Sequence, residues 1–272
     1  MKDGFVKVAA ATCKIKVADC KYNADNIIKA MKETSASGAK LTVFPELSLT
    51  GYTCSDLFFQ TAMQTAAIDQ LRRIVTESQS AETVFAVGAP LVHGNRLYNC
   101  TVMIYGGDIL GVVPKSFIPN YNEFYEARHF APAPKTNGEI CLFGKKYPFG
   151  TKLLFRCSSL PSFVIAAEIC EDLWTAQPPS ISHAAAGATV IINQSASDEV
   201  IGKDAYRRAL VSGQSARLIC GYIYCDAGDG ESTTDMVFAG HNLICENGSV
   251  LSESKLFENT IIYSEFDTDR LL

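Results

Sequence analysis

Phe163-Val164-Ile165-Ala166-Ala167-Glu168-Ile169-Cys170-Glu171-Asp172-Leu173-Trp174 is the most informative stretch of this 272-residue chain. Phe163 to Ala167 is a short apolar, β-rich run of the kind that forms a buried strand. A cysteine and two acids follow where that strand ends, which is where sites gather in α/β folds. Working outward, Phe5 to Thr12, Leu41 to Phe44, Val84 to Ala89, Val190 to Ile192 and Tyr222 to Cys225 read as further buried strands. Between them Ala24, Ile27, Ile28 and Met31 fall at helical spacing. So do Leu57, Ile68, Leu71, Ile74 and Val75, and then Ala205, Ala209, Leu210, Gly213 and Ala216. A helix between two strands implies a parallel neighbour and a covered sheet face. Asn99 to Val113 reads instead as a hairpin turning at Gly106-Gly107-Asp108, and Val237 to Leu251 as another turning at Glu246-Asn247-Gly248. No linker or repeat divides the chain, and the Pro-rich Ala131 to Lys135 reads as a surface loop. The expectation is a single α/β domain, residues 1–272, built on mixed sheets.

Composition narrows the function. With 47% hydrophobic and 19% charged residues the chain supports a sizeable core and is not disordered. Twenty-four basic against 29 acidic side chains leave a net charge of −5, unsuited to gripping a phosphate backbone, so no nucleic-acid partner is expected. The first residues lack a signal-peptide core and no run of about 20 apolar residues follows, so neither a membrane partner nor secretion is expected. Ten cysteines without a Cys-x-x-Cys pair read mostly as small buried hydrophobes in a reducing cytoplasm, where the sequons at Asn99, Asn193 and Asn247 are chance matches. His93, His129, His183 and His241 show no zinc-type spacing, so no metal is expected.

Several mechanisms are excluded by missing motifs. There is no Gly-x-Ser-x-Gly, His-Glu-x-x-His, Gly-x-Gly-x-x-Gly or Gly-x-x-x-x-Gly-Lys-Ser/Thr. What remains are three polar segments at strand ends. Phe44-Pro45-Glu46-Leu47 is the first. Pro114-Lys115 with Tyr121-Asn122-Glu123-Phe124-Tyr125-Glu126 is the second, and Glu168 to Trp174 the third. Each alone has an ordinary reading, as a solvated turn acid, an edge lysine or a buried thiol.

Together, Glu46, Lys115 and Cys170 in that chain order resemble the triad of the nitrilase, or carbon–nitrogen hydrolase, superfamily. Within it the chain is most similar to the glutaminase domains joined to NAD synthetases. That similarity is carried by Gly51-Tyr52, Asp56-Leu57-Phe58, Asn120-Tyr121, Glu123 to Glu126, Arg128-His129-Phe130, Ile169 to Trp174, Ser195-Ala196-Ser197 and Gly202-Lys203. The resemblance implies a four-layer α-β-β-α sandwich of two mixed sheets. It implies hydrolysis of the glutamine side-chain amide through a thioester on Cys170, with Glu46 as base and Lys115 as the cation that stabilises charge. Glu126 would orient the site. A free thiol near pKa 8.5 is only a few per cent ionised at neutral pH, and lowering it by about 1.5 through a nearby ammonium is worth about 2 kcal/mol. The developing oxyanion would be held by Lys115 and the backbone N–H of Glu171.

The same resemblance implies that Tyr52, Tyr121, Phe124 and Trp174 wall the substrate pocket. Glu171 would pair with the α-amino group, and Ser197 and Lys203 with the α-carboxylate. The chain departs from its relatives after Ser197, where Asp198-Glu199 replaces a common Pro-Phe. In such proteins a C-terminal synthetase domain binds ATP, magnesium and deamido-NAD through a Ser-Gly-Gly-x-Asp-Ser loop and receives ammonia through a protein tunnel. That loop is absent here, so no cofactor is expected in this chain. A synthetase domain following the polar Asp267-Thr268-Asp269-Arg270 stretch and Leu272 is the expected partner, and the resemblance, to relatives that associate through outer helices, implies a homo-oligomer. Two alternatives stay open. One is a free-standing amidase on another small amide, such as an ω-amidase or N-carbamoyl amino acid hydrolase, which Glu171 and Trp174 argue against. The other is a non-catalytic docking domain that retains the fold.

Overall fold

In a computed structural model, which describes residues 3–272, the chain forms two sheets packed face to face with helices outside each. The first half runs β1 (Phe5–Ala11), α1 (Cys20–Ala36), β2 (Leu41–Val43), α2 (Thr61–Glu77), β3 (Val84–His93), β4 (Arg96–Tyr105) and β5 (Asp108–Pro114). It continues with β6 (Gly138–Leu142), β7 (Lys145–Phe149), β8 (Phe155–Arg156), β9 (Val164–Ile169), α3 (Glu171–Trp174) and α4 (Pro179–Ala185). Then come β10 (Val190–Ser195), α5 (Lys203–Leu218), β11 (Gly221–Asp226), β12 (Leu243–Glu246), β13 (Ser249–Glu253), β14 (Ile261–Asp267) and α6 (Thr268–Leu271). One sheet has eight strands in the order β14-β1-β2-β3-β4-β5-β7-β6, the other six in the order β13-β12-β11-β10-β9-β8.

Both sheets are mixed. β1, β2 and β3 run parallel, as do β9, β10 and β11, because α1, α2, α4 and α5 carry the chain back across a sheet face. Hairpins add the antiparallel strands. Gly106 and Gly107, with φ of 59° and 82°, close the β4–β5 turn. Asn247 and Gly248, at 42° and 86°, close β12–β13. Both pairs adopt the left-handed conformations that match strand twist.

Three apolar layers hold this arrangement. Val8, Leu41, Val43, Ala86 and Met103 of one sheet meet Ile165, Ala167, Ile192, Ile223 and Ile244 of the other. Ile27, Met31, Leu71 and Ile74 of α1 and α2 pack on Phe85, Val87 and Val102, and Val211 packs on Ile191, Tyr222 and Leu243. The result is the predicted α-β-β-α sandwich, a single domain. Gln194 of β10 links the sheets across the middle. Its Nε2 donates to the carbonyls of Phe44 (2.6 Å) and Ala86 (2.9 Å), while Oε1 accepts from Thr101 (2.6 Å).

Some expectations need correction. Leu57 lies in a short 3-10 turn, Ser55–Phe59, ahead of α2 and is exposed. The second hairpin begins at Leu243 instead of Val237. In α5 the small residues Ala205, Ala209, Gly213 and Ala216 face solvent, while Arg207, Val211, Gln214 and Ser215 are buried. Charge pairing decides that orientation: the fully buried Arg207 bonds Glu199 at 2.9 Å and lies 4.0 Å from Asp226. The hairpins β3–β4 and β6–β7 are additional to those read in the sequence. Seven of the ten cysteines are buried, and all ten are free thiols.

Candidate active site

Glu46, Lys115 and Cys170 follow the C-terminal ends of β2, β5 and β9, on one edge of the sandwich. Phe44 N–H still pairs with Ala86 (3.0 Å), after which Pro45 turns Glu46 inward. This turn lies directly on Gly88 of β3. A Cβ there would stand 2.3 Å from Leu47 N and 2.5 Å from the Pro45 carbonyl, so only glycine permits the approach. Lys115 N–H bonds the Asn99 carbonyl at 2.8 Å, extending β5 by one residue and fixing where its side chain goes.

The Lys115 ammonium, 1% exposed, sits 2.6 Å from Glu46 Oε1 and 2.8 Å from Glu126 Oε2. Asn99 Nδ2 bridges the same two acids, at 2.6 Å to Glu46 and 3.0 Å to Glu126. Ala196 N–H donates to Glu46 Oε2 at 2.9 Å, so both Glu46 oxygens have donors. Burial disfavours charge on Lys115, but Glu126 and Glu46 outweigh it and hold the ammonium firmly protonated. Burial pushes Glu126 up to about 8, against the pull of Lys115. Glu126 pairs with Lys115 and not with Arg128, whose guanidinium binds Asp56 through two 2.7 Å contacts.

Cys170 stands between β9 and α3 with φ 42° and ψ −100°, a conformation costly for a residue with a Cβ. Its N–H is shared between the Gln194 carbonyl (2.9 Å) and Asn193 Oδ1 (3.1 Å), which hold the turn in place. Asp172 ties this turn to the Lys115 segment. Its carboxylate accepts from the N–H groups of Ile169 (2.9 Å), Ser116 (3.1 Å) and Phe117 (2.8 Å). Burial, followed by the charge of Glu46, holds the Cys170 thiol well above its ordinary pKa, although Lys115, Ser195 and Ala196 N–H pull it down. The expectation of a lowered pKa is therefore corrected in direction: burial, with the charge of Glu46, outweighs the pull of Lys115.

A cavity of about 450 Å³ opens over Cys170 and holds six of the seven expected substrate contacts, Tyr121, Phe124, Glu171, Trp174, Ser197 and Lys203. Tyr121 is half exposed, and its hydroxyl donates to both Glu171 oxygens at 3.0 and 2.9 Å. Ser197 Oγ accepts from Arg207 Nη2 at 3.3 Å. The residues that depart from the common pattern have partners of their own, since Asp198 binds Lys203 and Glu199 binds Arg207. Tyr52 is the exception. It lines a neighbouring cavity of about 190 Å³ with Glu126 and Phe130, and the two cavities meet at Glu123 and Phe124. Burial is the main cause that raises the Tyr52 phenol well above its ordinary value. No cluster of histidine, cysteine and acidic residues suited to a metal ion occurs among the described residues.

Sequence reasoning passed over Asn99, Asp172, Gln194 and Ala196 N–H. Asp172 lies inside the Cys170 segment, and its offset of two from the cysteine was the available signal. Nothing in the sequence pointed to Asn99 or Gln194.

Known proteins share sequence and fold with this chain. The carbon–nitrogen hydrolase family model matches residues 7–271. Glutamine-dependent NAD(+) synthetase of Mycobacterium tuberculosis is 45% identical over 266 residues, covering 98% of this chain and 39% of that protein. The human glutamine-dependent NAD(+) synthetase is 28% identical, covering 92% of this chain and 36% of its own length. This chain thus spans about two-fifths of such relatives. The crystal structure of a glutamine-dependent NAD(+) synthetase from Cytophaga hutchinsonii superposes with a TM-score of 0.87 at 29% identity, over 97% of this chain and 43% of that one. An amidase from Nesterenkonia shares the fold at 18% identity, with a TM-score of 0.75 over all of this chain and 94% of its own. The buried Lys115 between two acids is thus set in a fold shared along the whole chain, and this chain belongs to the carbon–nitrogen hydrolase family.

Proposed function

We propose that this chain hydrolyses the side-chain amide of glutamine to glutamate and ammonia, with Cys170 as nucleophile. The observation that carries the reading is the Lys115 ammonium, 2.6 Å from Glu46 and 2.8 Å from Glu126, beside a cysteine held in a strained turn at the floor of a cavity. Because the sulfur rests as a thiol, attack on the amide carbon is coupled to proton transfer from Sγ to Glu46. The C=O electron pair moves to oxygen, where Lys115 and the backbone N–H of Glu171, first residue of α3, face the new charge. Each such donor is worth about 3 kcal/mol in the transition state. Glu46 returns the proton to nitrogen, the C–N bond breaks and ammonia leaves a γ-glutamyl thioester. Water then attacks, Glu46 takes its proton, and the proton passes to sulfur as glutamate departs. Glu126, bonded to Lys115 and Asn99, keeps the ammonium aimed.

In the cavity, Phe124 and Trp174 flank the aliphatic chain, and Tyr121 positions Glu171 for the α-ammonium. Ser197 offers its hydroxyl to the α-carboxylate, with Lys203 beside it, while Tyr52 walls the adjoining cavity. Supply of this ammonia to a C-terminal synthetase domain, which would bring ATP, magnesium and deamido-NAD, is supported by relatives more than twice as long. Self-association through outer helices and a cytoplasmic site, consistent with ten free thiols, belong to the same reading. The test is glutamate and ammonia release from glutamine by the wild type, Cys170→Ala and Lys115→Ala. Loss of at least a thousandfold in both variants is expected; equal rates in all three would remove the mechanism. Preference for a ureido compound over glutamine would favour a free-standing amidase.

A further inference from the structure

The charges around the cavity over Cys170 are unbalanced. Glu123, Glu171 and Asp198 line it, and Lys203 is the one cation among the described lining residues. That lysine is already occupied. Its ammonium is paired with Asp198 and lies 5.5 Å from the centre of the Trp174 ring and 6.0 Å from that of Phe124. Asp198 is also firmly placed. Its backbone bridges to Phe238, its carbonyl accepts from Arg207 Nη2 at 3.1 Å, and Glu199 N–H bonds Val237 at 2.6 Å. A substrate carboxylate approaching Lys203 therefore meets a fixed carboxylate on the same ammonium. Glu171 is the opposite case. It receives the Tyr121 hydroxyl, but no lysine, arginine or histidine among the described residues pairs with it or with Glu123. Burial raises the Glu171 carboxyl, a penalty that an incoming cation would relieve.

We propose that this cavity selects substrates by a free ammonium at the end remote from the amide, and that Asp198 makes an α-carboxylate dispensable by occupying Lys203. The inference rests on the amide-hydrolase reading above and extends its substrate class. The enzyme hydrolyses ω-amino carboxamides that have no carboxylate, such as 4-aminobutanamide. Water supplies the oxygen, the C–N bond breaks, and 4-aminobutanoate and ammonia are formed. Glutaramate, which keeps the carboxylate and lacks the ammonium, is a poor substrate.

The experiment measures kcat/KM for glutamine, 4-aminobutanamide and glutaramate with the wild type and Asp198→Asn. In the wild type, 4-aminobutanamide is expected within about tenfold of glutamine and glutaramate at least about a hundredfold below it. Asp198→Asn frees Lys203, so glutaramate is expected to gain about tenfold relative to 4-aminobutanamide, and KM for glutamine to fall severalfold. Wild-type turnover of glutamine with glutaramate preferred over 4-aminobutanamide overturns this inference and leaves the glutaminase reading standing. So does an unchanged ratio of the two in a folded Asp198→Asn. Failure to turn over any of the three amides overturns the glutaminase reading itself. The wild-type panel decides the matter even if the variant does not fold.

Discussion

Asn99→Asp changes the chemistry of one atom at the centre of the buried cluster. Asn99 Nδ2 donates to Glu46 Oε1 at 2.6 Å and to Glu126 Oε1 at 3.0 Å, in a residue only 1% exposed. The introduced group cannot sit there ionised, facing acceptor oxygens and away from water, so it keeps its proton in the folded state. An aspartate in the unfolded chain titrates near about 3.9, and each pH unit above that adds about 1.4 kcal/mol to the cost of holding it protonated. The folded pKa exceeds the unfolded one, so the unfolded state releases a proton that the native state retains. Stability is therefore lost as pH rises, and the penalty vanishes below about pH 4. The variant should lose about 1.5 kcal/mol relative to the wild type at pH 5 and about 4 kcal/mol at pH 7. Urea unfolding of both proteins at the two pH values reads this from the midpoints, provided the slopes agree. A loss that is the same at pH 5 and pH 7 would refute the placement of Asn99 between two acids.

Three further substitutions probe how the site is held. Gly88→Ala, whose Cβ would meet Leu47 N at 2.3 Å, should push the Glu46 turn off β3 and lower kcat at least tenfold, measured by ammonia release. Asp172→Ala removes an acceptor for three backbone N–H groups linking the Cys170 and Lys115 segments. It should cost about 3 kcal/mol of stability by denaturant unfolding and reduce kcat with it. Gln194→Leu strips partners from two buried carbonyls and the Thr101 hydroxyl, for a loss of about 3–5 kcal/mol, seen as a lowered Tm.

The layers and the candidate trio of Glu46, Lys115 and Cys170 were legible because each left a local trace. Strands such as Val190 to Ile192 are continuous apolar runs, turns such as Gly106-Gly107 need left-handed backbone, and Glu46, Lys115 and Cys170 each follow the end of a strand. What escaped was fixed by contacts between distant segments. The buried face of α5 is chosen by Arg207 reaching Glu199 and Asp226, which outweighs its apolar periodicity. Asn99 bonds Glu126 across 27 positions and Glu46 across 53, so no window of sequence contains the cluster. The direction of the thiol's shift escaped for a related reason: a nearby ammonium was expected to lower it, but burial of Cys170 by segments distant in the chain, with the charge of Glu46, outweighs Lys115.

The claim that Cys170 is the nucleophile is open to a direct measurement that needs no turnover. The protein is treated with a glutamine-like electrophile, digested, and mapped by mass spectrometry across all ten cysteines. The account predicts one equivalent of adduct, confined to Cys170 and lost in Lys115→Ala and Glu46→Gln. Adduct spread over Cys141, Cys13 and Cys157, the thiols that are not buried, or a fully labelled Cys170 in both variants, would contradict it.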